Sequence, residues 1–148
     1  MLLHILRTTG IDPDNLEKVV DLESGLLGIS GISGDMRQLH EATTEPRAQR
    51  AIKIFCQTAK KTLGAFIAIL GGLDLLVFTG GIGEHDADVR ERICGGLESF
   101  GVILDSDANH GGLQTISAPG SRVRICILQS DEETQIARHT YRLLTQPK

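Results

Sequence analysis

The sequence predicts an α/β fold, and three observations carry that prediction. A continuous apolar run, Leu73-Asp-Leu-Leu-Val-Phe-Thr79, lies between the pairs Gly71-Gly72 and Gly80-Gly81. Its length and flanking glycines favour a short strand buried on both faces. The run passes through Gly80-Gly-Ile-Gly83 into a stretch with helical spacing, the strand–turn–helix order of an α/β unit. A second apolar run at 122–128 is followed by another helical stretch at 131–144, which repeats that order.

The opening residues predict two short helices, 2–9 and 13–22, separated by Gly10-Ile-Asp-Pro13. Asp12 before Pro13 is a good N-cap followed by proline at the first helical position. The segment Ser24–Arg37 holds four glycines within ten residues, at 25, 28, 31 and 34. That density is costly inside regular structure, so it predicts a shaped loop. Glu45-Pro46 opens the longest helix, about 46–70, with apolar residues at Ala48, Ala51, Ile52, Phe55, Ala59, Leu63, Phe66, Ile67 and Leu70. Its second half, 63–70, is apolar nearly all round and predicts a central buried helix. After the glycine turn a helix is expected from about 86 to 99, then strands at 101–105 and 122–128. A polar loop from Asp105 to Gly120 carries a short strand around Thr115, and the last helix runs from about 131 to 144. So few strands, with helices opening the chain, suggest the C-terminal part of something larger.

The composition excludes several functions. Of 148 residues, 41% are hydrophobic and 23% charged, which suits one ordinary globular domain and no disordered tail. No apolar run reaches the ~18 residues of a membrane span, and the first residues do not resemble a signal peptide. The net charge is −4, and the aromatics are four Phe and one Tyr with no Trp, a poor set for nucleic acid. Cys56, Cys94 and Cys126 lie far apart without metal-ligand spacing, so they are expected as reduced, buried thiols of a cytoplasmic protein.

Three segments carry candidate chemistry. In Gly80–His85, glycines let the backbone approach a ligand at the carboxyl end of a strand, where open α/β sheets bind their ligands. The spacing is neither Walker A nor GxGxxG, and the alternative is a tight strand-to-helix turn. In the second segment, Asp35 suits ribose hydroxyls and Arg37 suits a purine face; equally, Asp35 is the N-cap of the next helix. In Ser130-Asp-Glu-Glu133, Ser130 and Glu133 have capping-box spacing. Glu132 is then free to hold Mg²⁺, or to complement the helix dipole as a first-turn acid. His85 either caps its helix or reaches the ligand, and the cap is favoured.

Together, in this order, the segments Ser24–Arg37, Gly72–Glu84 and Ser130–Arg138 resemble the acetate and butyrate kinase family. The helix at 46–70 and Gly101-Val-Ile-Leu-Asp105 also match, so the resemblance covers nearly the whole chain. It implies a partial ribonuclease-H-like lobe of the sugar kinase, actin and heat-shock ATPase superfamily. The whole of residues 1–148 would be the C-terminal nucleotide-binding lobe, with the N-terminal lobe absent. The implied reaction is reversible phosphoryl transfer from ATP to acetate, giving acetyl phosphate and ADP. By the same resemblance Asp35, Met36 and Arg37 border the adenosine. Gly81, Ile82, Gly83, Glu84 and His85 form the adenosine/phosphate loop, and Glu132 serves Mg²⁺.

The resemblance also implies a cytoplasmic homodimer acting on a nucleotide and a short-chain carboxylate. No catalytic residue is assigned within the chain. Family members are more than twice as long, and the part without a counterpart here carries the acyl pocket and the groups that stabilise the transferring phosphoryl. An isolated chain is therefore expected to be inactive. His85 departs from the family, which usually has Asn there. Other readings are a propionate or butyrate kinase part, a non-catalytic dimerising or nucleotide-binding remnant, and an unrelated α/β nucleotide-binding domain.

Overall fold

A computed structural model describes residues 2–145, apart from the side chains of residues 132 and 133. The chain divides into two compact units, Met1–Phe66 and Ile67–Lys148.

The first unit is helical. Helices α1 (Leu2–Thr9) and α2 (Pro13–Lys18) flank Gly10-Ile-Asp12, and Asp12 caps α2 by accepting the Asn15 N–H at 3.0 Å. The expected helix 13–22 is present, its second half, Val19–Glu23, widened into a π-helical turn. The glycine-rich segment is more ordered than a loop: α3 (Gly25–Ser30) forms within it and stops at Gly31, which takes the left-handed φ of 66°. The buried Ser30 hydroxyl then organises the turn. It accepts the N–H groups of Ile32 (3.1 Å) and Ser33 (3.3 Å) and donates to Ser33 O at 3.2 Å. Asp35 caps α4 (Met36–Glu41), and Met36 and Leu39 point into the core. The long helix α5 (Pro46–Leu70) follows and leads into the second unit. Ala48, Ala51, Ile52 and Cys56 form its buried stripe in the first unit.

The end of α5 departs from expectation. Ile67 is buried, but Phe66, Ile69 and Leu70 are 56%, 79% and 69% exposed. The all-round apolar pattern is real, yet the described residues cover only one side of it.

The second unit carries the sheet. Strands β1 (Leu75–Phe78) and β2 (Arg124–Ile127) pair in parallel with Leu75 opposite Arg124 and Phe78 opposite Ile127. The far edge of β2 is used, because Ile116 N–H donates to Ile125 O and Ile127 N–H donates to Gln114 O, both at 2.9 Å. The short strand expected around Thr115 is thus a single antiparallel bridge to Cys126. Residues 101–105 contribute only the bridge Leu104–Ser117, not a full strand. β1 has no partner on its other edge among the described residues. Leu75 and Val77 are 49% and 37% exposed and Phe78 is the one buried residue of the strand, so the strand is not buried on both faces by the described residues.

The remaining helices are α6 (Gly80–His85), α7 (Ala87–Cys94), α8 (Ser106–His110) and α9 (Glu132–Thr145). The expected helix 86–99 ends at Cys94, followed by a 3₁₀ turn at Glu98–Phe100. The core of this unit is Ile67, Phe78, Val89, Ile93, Cys94, Leu97, Val102, Ile116, Val123, Ile125 and Cys126. All three cysteines are buried and none is in a disulfide, as expected.

Candidate functional site

Because β1 and β2 are parallel, their carboxyl ends open on the same side. A cleft of about 530 Å³ lies there, lined by Glu84 and His85 of α6, Gly112 and Gln114, and Ile127, Leu128 and Gln129 after β2. The glycine segment is not a loop: the chain leaves β1 at Thr79 and enters α6 at once. Two glycines make that entry feasible. Gly80 has φ +72°, a conformation that disfavours other residues. At Gly83 a Cβ would sit 3.3 Å from the Phe78 carbonyl carbon, a tight approach that glycine lets the helix make without a shift of the strand. Gly81 differs, since a Cβ there would meet no atom within 4 Å.

Glu84 turns back across its own helix. Its Oε1 accepts the Gly80 N–H at 2.9 Å, the Ser130 N–H at 2.7 Å and the Ser130 hydroxyl at 3.0 Å. The Ser130 main-chain bond above all holds the Glu84 carboxyl below the ordinary glutamate range, with smaller help from the other two donors and from His85. Ser130 donates to Glu84, and Asp131, the residue before α9, accepts the Thr134 N–H at 3.2 Å. The Glu133 side chain, the other half of the expected capping box, lies outside the described residues. Glu132 opens α9, and its side chain lies outside the described residues. His85 closes α6 and lines the cleft, while Asp86 caps α7 by accepting the Val89 N–H at 2.9 Å.

Beneath α6 lies a residue the sequence reading passed over. Arg90 is only 2% exposed. Its Nη1 donates to the carbonyls of Gly83 and Glu84, each at 2.9 Å. These are end-of-helix carbonyls that lack an intrahelical partner. Its Nε and Nη2 donate to Asn109 Oδ1 (2.7 Å) and Asn109 O (3.0 Å). Asn109 is 0% exposed and in turn donates to Ala87 O at 2.9 Å. Burial pushes the Arg90 pKa down, partly offset by Asp86, and an arginine so placed stays protonated. The available signal was positional: Arg90 shares a helical face with Cys94 and adjoins Val89 and Ile93, all of them buried.

In the first unit, Asp35 accepts the Arg37 N–H at 2.9 Å and pairs with the Arg37 guanidinium at 2.8 Å. The guanidinium hydrogen bond is the largest cause holding the Asp35 carboxyl below its usual range. Met36 is buried, and the Arg37 side chain is 87% exposed.

The parallel pair with its glycine helix and carboxyl-end cleft forms part of an α/β lobe, and its solved structural neighbours are kinases of the superfamily of sugar kinases, actin and heat-shock ATPases. Solved structures agree. An acetate kinase from Porphyromonas gingivalis superposes with TM-score 0.86 at 35% identity, covering 97% of this chain and 37% of that one. A propionate kinase from Francisella tularensis gives TM-score 0.81 at 31% identity over 92% of this chain and 35% of its own. The profile of the acetokinase family matches residues 1–138, and the chain belongs to that family. The acetate kinase of Rhodopseudomonas palustris is 46% identical over 145 residues and that of Solibacter usitatus 44% over 150, each covering 97% of this chain. The chain spans 36% of the length of these relatives. Among the described residues no helix is long and apolar enough to cross a membrane.

Proposed function

We propose that this chain is the nucleotide-binding part of an acetate-kinase-type phosphotransferase. The whole enzyme would transfer the γ-phosphoryl of ATP reversibly to acetate. The observation that carries the reading is the cleft at the carboxyl ends of β1 and β2, walled by Glu84 and His85. Gly81, Ile82, Gly83, Glu84 and His85 are the residues proposed for the phosphate side of the nucleotide. Asp35, Met36 and Arg37 are proposed for adenosine on the resemblance alone. Phosphoryl transfer depends on positioning and charge neutralisation, and bound Mg²⁺ would supply part of the latter. The acidic run Asp131-Glu132-Glu133 has the hard oxygen donors that Mg²⁺ favours, and Glu132 is the proposed ligand.

Acetate is the proposed acceptor because the acetokinase profile matches residues 1–138 and the acetate kinases above are 44–46% identical across this chain. No residue here is assigned to polarise the transferring phosphoryl, so the chain alone is proposed to bind without turning over. Exposed Ile136, Tyr141, Leu143 and Leu144 on α9 support a homodimer, and three buried cysteines outside any disulfide support a reducing cytoplasmic setting.

Calorimetric titration with MgADP tests the reading. Saturable binding that is lost in Gly81→Val supports it, since a side chain at 81 meets no protein atom and so probes the ligand. Binding that survives Gly81→Val counts against the glycine turn as the nucleotide contact, and none in the wild type counts against this chain as a self-sufficient nucleotide site.

A further inference from the structure

The two loops at the carboxyl ends of the strands are joined by a single atom. Glu84 Oε1 receives three donors, one from Gly80 and two from Ser130, a residue 46 positions away in sequence. The Glu84 main chain is held independently, because Arg90 Nη1 donates to its carbonyl at 2.9 Å. Arg90 is itself anchored on Asn109. One end of Glu84 is thus fixed to the core and the other grips the segment that opens α9.

The chemistry favours holding over contact. A bare carboxylate facing a nucleotide's phosphates would repel them. A carboxylate oxygen that accepts three hydrogen bonds has its charge largely answered by the protein's own donors. In addition, two of those donors belong to Ser130, directly before the Asp131-Glu132 start of α9.

We propose that Glu84 is a positioning residue: its carboxylate ties Ser130 to the glycine turn and sets where the start of α9 stands at the rim of the cleft. Its effect on the ligand is exerted through that segment. This rests on the reading of the cleft as a nucleotide site, and it adds a role that the motif match does not assign.

The test uses the full chain and two readouts. The first is amide hydrogen exchange at Gly80 and Ser130 without ligand. The second is MgADP affinity by calorimetry. Glu84→Ala is expected to speed exchange at both amides by tenfold or more and to weaken MgADP binding by at least tenfold. Glu84→Gln keeps an acceptor oxygen, so it should recover most of both. Ser130→Ala removes only the hydroxyl and should cost a few-fold in affinity; its exposed site makes it a safe second variant should Glu84→Ala fold poorly.

Unchanged exchange at Ser130 in Glu84→Ala overturns the proposal. So does a Glu84→Gln variant that recovers protection but not affinity, because the charge itself would then act on the ligand or its metal. A wild-type chain that does not bind MgADP counts against the nucleotide reading, and the exchange experiment then decides the tie by itself.

Discussion

Arg90→Met should show how much of the second unit hangs on one buried guanidinium. Arg90 is 2% exposed, and its hydrogen bonds reach Gly83 O, Glu84 O, Asn109 O and Asn109 Oδ1. Methionine has a comparable stem and fills much of the space, so the cavity contribution is small. What is lost is donors. A buried acceptor left without a partner costs roughly 1–3 kcal/mol. The α6 carbonyls sit at a helix end that water can partly reach, whereas Asn109 is fully enclosed. The net cost is then about 3–4 kcal/mol, within the range for breaking a buried polar network. For a chain of this size each kcal/mol lowers the unfolding midpoint by roughly 2–4 °C, so the fall should be about 10 °C by far-UV circular dichroism. Arg90→Lys keeps the charge but not the planar fork and should lose about half as much. A fall under about 2 °C for Arg90→Met would refute the reasoning, because it would mean that water or neighbouring groups replace the guanidinium freely.

Three further outcomes are expected. Gly80→Ala should destabilise by about 1–2 kcal/mol through its left-handed φ of 72°, while Gly81→Ala should be neutral or slightly stabilising; urea midpoints compare them. The Asp35 carboxyl is held below its ordinary range by Arg37, so its contribution to α4 is present above the unfolded value of roughly 3.9. It is lost only as pH falls through the lower folded value, and Arg37→Ala should move the Asp35 midpoint upward in a carbon-detected NMR titration. Val77→Lys on the open edge of β1 should change stability by less than about 0.5 kcal/mol but reduce self-association in sedimentation velocity, since edge lysines block strand addition.

How much was legible follows from which signals are local. Pro46 and Gly71-Gly72 mark both ends of α5 correctly, because proline at the first turn and glycine beyond the last act through their own backbones. The Asp12 cap is local in the same sense. The segments misread are those decided by distant partners. Ser130 donates to Glu84, 46 positions away, a tie that its local spacing does not announce. Gly80–His85 looks like a loop because glycine is a poor helix former, yet six residues close into a helix with Glu84 satisfying the Gly80 N–H. Arg90 carries only a faint positional signal for a related reason: an arginine on a helix is ordinarily solvated, and nothing nearby in sequence announces an asparagine at position 109.

The glycine segment shows why a motif match and a binding site are separate claims. Gly80 is favoured by a backbone angle and Gly83 by its close approach to Phe78, so both have a reason in the fold even with no ligand. Only Gly81 has no such reason, since a side chain there would point into open space. A sequence that keeps Gly80 and Gly83 therefore reports on how α6 packs against β1. Retention of glycine at 81 is what points outward to a ligand, and this makes Gly81 the position at which folding and binding are separable by one substitution.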